Sequence, residues 1–237
     1  MICNGSIRAE YCQNLKYLKN IEEINGNLIL SYSGIENLGK LKKVNGNLFL
    51  QNCQNIKSLG NLESVAGKLW LKNSSIKDLG QLRTVEGSVS FSNCLKLESL
   101  GKLETINGDL WLNTSFIKTL GKLRTVNGTF SLKNCVNIRS LGALEEVNGK
   151  LWLKNLKIED LGNLKLVNGS LSIKNCKELK SLGNLAEVRG NLWLNSSLIT
   201  DLTKLKKVTG IVFGFKGNKH SNLKEFNFTN KKNPHIN

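Results

Sequence analysis

The chain has 237 residues, with 34 Lys+Arg against 18 Asp+Glu for a net charge of +16, 22 glycines and one proline. Its 40% hydrophobic content excludes a disordered chain, and no apolar run approaches the ~18 residues of a membrane span. The two histidines, His220 and His235, leave little for an imidazole-based active site, while the basic excess favours acidic partners such as nucleic acid, anionic glycan or acidic protein.

From the N-terminus, MICNGSIRAEYC holds no apolar h-region and so predicts no signal peptide. Residues 1–4 lead into a series of glycines in one register, Gly5, Gly26, Gly46, Gly67, Gly87, Gly108, Gly128, Gly149, Gly169, Gly190 and Gly210, each after V/I-x except Gly5, where Cys3 takes the Val/Ile place. The steps alternate strictly between 21 and 20 residues, which defines a repeat array. Each unit reads L-x-x-V-x-G-x-L-x-L-x-N, a short link, then I-x-x-L-G-x-L; Leu41, Val44, Gly46, Leu48, Leu50, Asn52, Ile56, Leu59, Gly60 and Leu62 form one example. After each V-x-G the residues alternate (Leu48 in, Phe49 out, Leu50 in), the period of a half-buried strand. About 20 residues cannot hold a strand and a full crossover helix, so each unit is predicted to be one coil of a solenoid with a parallel sheet of stacked G-x-L-x-L strands. The glycines then mark corners where a tight turn or a close backbone approach excludes Cβ. Asn-Gly pairs such as Asn45-Gly46 offer hairpin turns instead, but the L-x-x-V run before them alternates poorly and is too short to match the strand after it.

Residues 1–212 are thus expected to form a right-handed β-solenoid of about eleven coils, roughly 50 Å long at 4.8 Å per coil. Residues 213–228, which keep Leu223, Phe226 and Phe228, are expected to close it as an atypical capping coil. The segment 229–237, TNKKNPHIN, reads as a disordered basic tail.

The run L-x-x-V-x-G-x-L-x-L-x-x-C-x-x-I-x-x-L-G-x-L resembles the receptor L-domain type of leucine-rich repeat over roughly residues 5–215. That resemblance implies an interaction solenoid and, by family habit, a secreted or cell-surface setting. It leaves the ligand open, because such solenoids recognise many different things.

The side chains follow the 41-residue sum of two unequal coils. Cys12, Cys53, Cys94, Cys135 and Cys176 fall only in the long coils, and Trp70, Trp111, Trp152 and Trp193 only in the short ones. In-register cysteines two coils apart lie about 9.6 Å apart, beyond the ~7 Å reach of a disulfide, so they are expected to be buried thiols. Cys3 stands outside that series, with Cys12 as the one cysteine it could approach. Unpaired thiols favour the cytoplasm; seven Asn-x-Ser/Thr triplets point weakly the other way, and a chain so rich in Asn forms them by chance. The first variable position of L-x-x-V reads Glu22, Lys42, Glu63, Arg83, Glu104, Arg124, Glu145, Lys165, Ala186 and Lys206, which predicts a cross-coil salt ladder.

The third residue after each corner glycine should face out of the sheet: Ile29, Phe49, Trp70, Ser90, Trp111, Ser131, Trp152, Ser172, Trp193 and Phe213. Lys72, Lys133 and Lys154 flank this row. Aromatic anchors inside a polar, basic rim describe an interface. The candidate binding residues are therefore Phe49, Trp70, Trp111, Trp152, Trp193, Lys72, Lys133 and Lys154. A partner protein is the preferred ligand, a homodimer through the Trp face included; an anionic polymer, glycan or nucleotide-type ligand is the alternative. A plainer reading has each indole folding over its serine neighbours to pave the sheet. No phosphate loop, nucleophile elbow or His-centred metal motif is present, so the expectation is a non-enzymatic module with no cofactor and no metal.

Overall fold

The computed structural model describes residues 1–195, 197–217 and 226–229. They form a parallel β-solenoid of about eleven turns, and every strand pairing in it is parallel. No described segment is a helix, and none is long and apolar enough to cross a membrane as one.

Two sheets run the length of the solenoid rather than one. The G-x-L-x-L segments stack in register into a 12-stranded sheet, for example Leu48↔Leu69↔Val89↔Leu110. The L-x-x-V segments, too short to alternate, form a second sheet of 11 two-residue strands, Val44↔Val65↔Val85↔Ile106. Two residues suffice because each coil finds its partners one turn away, at a strand spacing of about 4.8 Å, rather than along its own length. The inward Leu, Ile, Val and Phe columns pack into one continuous core in which most members are fully buried, Phe91 and Phe130 being the largest.

The two glycine sets serve different needs. At the V-x-G corners the backbone φ is ordinary, and glycine is required by close approach: a Cβ on Gly87 would lie 2.6 Å from the carbonyl carbon of Gly67. At the Leu-Gly steps the chain turns left-handed, with φ +58° at Gly60 and +57° at Gly80. The same left-handed region follows nine strands of the larger sheet and is occupied mostly by Asn, such as Asn52 (φ 59°) and Asn73 (φ 59°), a residue that tolerates it. These asparagines hydrogen-bond along the axis, Asn73 Nδ2 donating to Asn52 Oδ1 at 3.0 Å and Asn93 Nδ2 to Asn73 Oδ1 at 3.0 Å. The Asn-Gly asparagines make a second ladder, with Asn45 donating to Asn25 at 2.8 Å and Asn127 to Asn107 at 2.7 Å. Those pairs are therefore rungs of a solenoid and not hairpin turns.

The 41-residue period has a structural form. On the third side of the coil, isolated bridges join Tyr17↔Asn37, Ser58↔Asp78, Ser99↔Thr119 and Ser140↔Asp160, each a long coil to the short coil after it. A Cβ on Gly80 would press into the Gly60 backbone, 2.7 Å from its nitrogen, whereas one on Gly60 would meet nothing within 4 Å. The third side therefore opens between each short coil and the next long one. The long coil holds its extra residue just before this side, Cys53-Gln54-Asn55 ahead of Ile56 against Ser74-Ser75 ahead of Ile76.

All six cysteines are free; of the five in register, Cys53, Cys94, Cys135 and Cys176 are buried as expected, but Cys12 in the first coil is exposed. Each of the four buried thiols donates its S–H to a leucine carbonyl of the preceding coil, Cys94 to Leu71 at 3.1 Å and Cys135 to Leu112 at 2.9 Å. Burial, which disfavours the thiolate, pushes Cys94 and Cys176 up to about 11 from an ordinary 9.0. A raised folded-state value stabilises the fold fully below pH 9 and is lost as pH climbs towards 11. Iodoacetamide at pH 8 is accordingly expected to label exposed Cys12 and half-buried Cys3 but none of the four buried thiols. Intact-mass spectrometry showing rapid modification of more than two thiols in the native protein would contradict this burial.

The alternating charge column closes only in part. Glu145 binds Arg124 at 2.6 Å and Lys165 at 2.8 Å, and the N-terminal ammonium reaches Glu22 at 3.6 Å; no other pair within that column forms among the described residues. The backbones are in register, Lys42 N donating to Glu22 O and Glu63 N to Lys42 O, but long exposed side chains gain too little in water to be held together. Where the triad does close, hydrogen bonds from Lys165 and then Arg124 hold the Glu145 carboxyl below the usual carboxylate range.

At the C-terminal end, Asn227–Thr229 adds a strand to Ile211–Phe213, and Phe215 and Phe226 are buried. Residues 218–225 and 230–237, which include much of the expected capping coil and nearly all of the expected basic tail, lie outside the described residues.

Candidate functional site

The outward face of the larger sheet carries three columns along the solenoid axis. The central one is the aromatic–serine row, set by alternation: with Leu69 and Leu71 fully buried, Trp70 between them must point away from the core. Ladder pairing places Trp111 beside Ser90 and Ser131, Ser131 beside Trp152, Ser172 beside Trp152 and Trp193, and Trp193 beside Phe213.

The rings do not stand up as separate ridges. Trp152 and Trp193 are two coils apart, where the backbone spacing is about 9.6 Å, yet their ring centroids are 6.4 Å apart with planes at 10°. They lean along the axis over Ser172, which is left 3% exposed. Trp193 stacks in turn on Phe213 at 5.7 Å, and Phe49 packs against Trp70 at 5.3 Å. Ser131 is also covered and donates to Asn113 Oδ1 at 2.7 Å. The result is an apolar row in which Phe49, Trp70, Trp111 and Trp152 are half-buried and Trp193 is buried.

Cations border the strip. Lys133 Nζ lies 4.8 Å from the Trp152 ring centroid, and Lys68 Nζ lies 5.4 Å from that of Trp70, both within cation–π range. Lys154 and Lys174 are direct ladder partners, with Lys133 at the same position one coil earlier, so three lysines run side by side past Trp152. Lys72 is exposed at the same position near Trp70. Like charges stacked along a ladder repel. The indole N–H groups of Trp70 and Trp193 are buried and have no hydrogen-bond acceptor among the described residues.

The structure thus draws seven of the eight predicted residues into two clusters: Phe49, Trp70 and Lys72 near one end, and Trp152, Trp193, Lys133 and Lys154 towards the other. Trp111 lies between them without a ring partner among the described residues. Lys68 and Phe213 complete the clusters, and both were legible as neighbours of the row in the repeat register. Among the described residues, no three His, Cys, Asp or Glu side chains converge so as to hold a metal ion. No known protein family matches this chain, and no curated protein is detectably similar to it.

Proposed function

We propose that the chain is a non-enzymatic binding module whose Trp/Ser-lined sheet face recognises a partner protein, a second copy of the chain included. The observation that carries this reading is the aromatic row itself: apolar, half-buried and bordered by polar and basic side chains along the solenoid. Its composition is that of an interface core with its rim. The receptor L-domain resemblance of the repeat supports recognition as the role. Six free thiols support a reducing, cytoplasmic setting.

A second reading, binding of an anionic polymer or glycan by the same face, is favoured by the Lys133–Lys154–Lys174 column. One variant separates the two. Serine already occupies the Trp position in the long coils, at Ser90, Ser131 and Ser172, so Trp111→Ser with Trp152→Ser should keep the coil geometry. Proteins cross-linked to the wild-type face in its host cells, together with molar mass in solution for self-pairing, read protein association. Truncating two anchors of this kind is expected to weaken it at least tenfold. A monomeric protein without cross-linked partners that binds heparin with a steep salt dependence, lost in the double variant, would replace this reading with the polyanion one.

A further inference from the structure

The repeat serves as its own reference, because each position can be compared with the same position in other coils. At the corner after the strand, long coils carry Gln13 and Gln54, then Leu95 and Val136, in the residue following the cysteine. In the first two cases the side chain closes the corner: Gln13 Nε2 donates to Tyr32 O at 2.6 Å and Gln54 Nε2 to Asn73 O at 2.5 Å. In the short coil that follows Gln54, Ser75 Oγ donates to Gln54 Oε1 at 3.1 Å, and its counterpart one pair later is Phe116. Leu95, Phe116 and Val136 can make none of these bonds. They stand 49%, 48% and 44% exposed in three consecutive coils, spaced about 4.8 Å per coil. Three adjacent coils thus exchange a corner hydrogen bond for a contiguous exposed apolar ridge, which folding alone does not reward.

The ridge ends at a cleft of about 420 Å3 beyond Val136, with buried Leu156 and the exposed Lys157 and Lys177 among its lining residues. On its other side lie Lys57, Lys77 and Lys96. Partial desolvation, then repulsion from Lys96 and Lys77, lowers the Lys57 ammonium below its ordinary value. None of these five lysines forms an ion pair among the described residues, while the one acid lining the cleft, Glu178, is held by Arg139 at 3.1 Å. Apolar side chains in the middle and uncompensated cations at both ends call for the opposite charge around large apolar groups. From the Lys57 coil to the Lys177 coil is six steps, about 29 Å, the reach of roughly nine extended residues.

We propose that the Leu95–Phe116–Val136 corner is a second docking surface, separate from the Trp face, that takes an acidic polypeptide segment anchored by large apolar side chains.

The array supplies the control variant. Leu95→Gln, Phe116→Ser and Val136→Gln install the residues of the preceding coils, so the triple variant should keep the wild-type circular dichroism and melt within a few degrees of it. A displayed library of random 12-residue peptides panned on the wild-type chain is expected to enrich acidic sequences with two or more Leu, Ile, Phe or Trp. Synthetic versions should bind the triple variant at least tenfold more weakly and Trp111→Ser/Trp152→Ser unchanged, so this surface and the Trp face fail independently. The proposal is overturned if no acidic–apolar sequence is enriched, or if those peptides bind the triple variant equally well. It is also overturned if the ridge instead binds phosphatidylserine vesicles or joins two copies of the chain, with either activity lost in the triple variant.

Discussion

Gly80→Ala is expected to destabilise the solenoid by more than about 3 kcal/mol, and Gly60→Ala by only about 1–2 kcal/mol. Both residues sit in the same L-G-x-L sequence with the same left-handed φ, +57° and +58°, so a Cβ costs each the same backbone strain. They differ in what lies next to them. A Cβ on Gly80 would be 2.7 Å from the Gly60 nitrogen and 2.9 Å from its carbonyl carbon, and closer still to its oxygen. These are backbone atoms that cannot swing aside, and Gln81 N donates to that oxygen at 2.9 Å. On Gly60 the same carbon enters open space. Urea denaturation of the two variants reads the difference as a shift in midpoint. Equal losses would mean that the third side is evenly spaced and the pairwise opening of the coils is wrong.

Phe91→Ala should cost about 3–5 kcal/mol, while Phe91→Leu should stay within about 1.5 kcal/mol. Phe91 is fully buried, and the same column carries Leu50, Leu71, Leu112 and Leu132 in neighbouring coils. Leucine is thus a volume the column already accepts, whereas alanine leaves a cavity between Leu71 and Leu112. In a solenoid each coil contacts mainly its neighbours, so the loss should centre on the middle of the array. A thermal midpoint for Phe91→Ala within a degree or two of the wild type would show that the coils collapse onto the gap and that the core is not packed as described.

The larger sheet was legible because Leu48, Phe49 and Leu50 alternate, and because a fixed step of 20 or 21 residues leaves no other way to pair them. The second sheet was not, since Lys43–Val44 is two residues long and carries no period of its own. Its strands exist only because identical segments stack one turn away. The charge column was legible as a sequence of signs, but not as bonds. Among the described residues Arg124–Glu145–Lys165 is the one stretch where neighbouring members of the column pair, because long side chains in water are not held by register alone.

At the candidate site, the outward placement of Trp70, Trp111, Trp152 and Trp193 followed from alternation, and the flanking lysines from the same register. What the rings do once outside did not. Whether an indole stands as a ridge or lies over Ser172 depends on the space left by a serine one coil away and by a ring two coils away, here 6.4 Å between centroids. The Leu95–Phe116–Val136 ridge was hidden for a related reason. Three apolar residues 20 or 21 positions apart look unremarkable in a leucine-rich chain until the coil sets them side by side.

The amino-acid order therefore decides the path of the chain: the glycine step, the inward leucines and the alternation compel a stacked coil of known register. The coil itself decides its surface. Neighbours along the axis are some twenty residues apart in the chain, so ring stacking, salt-bridge closure and the pairing of long with short coils exist only once the turns are in contact.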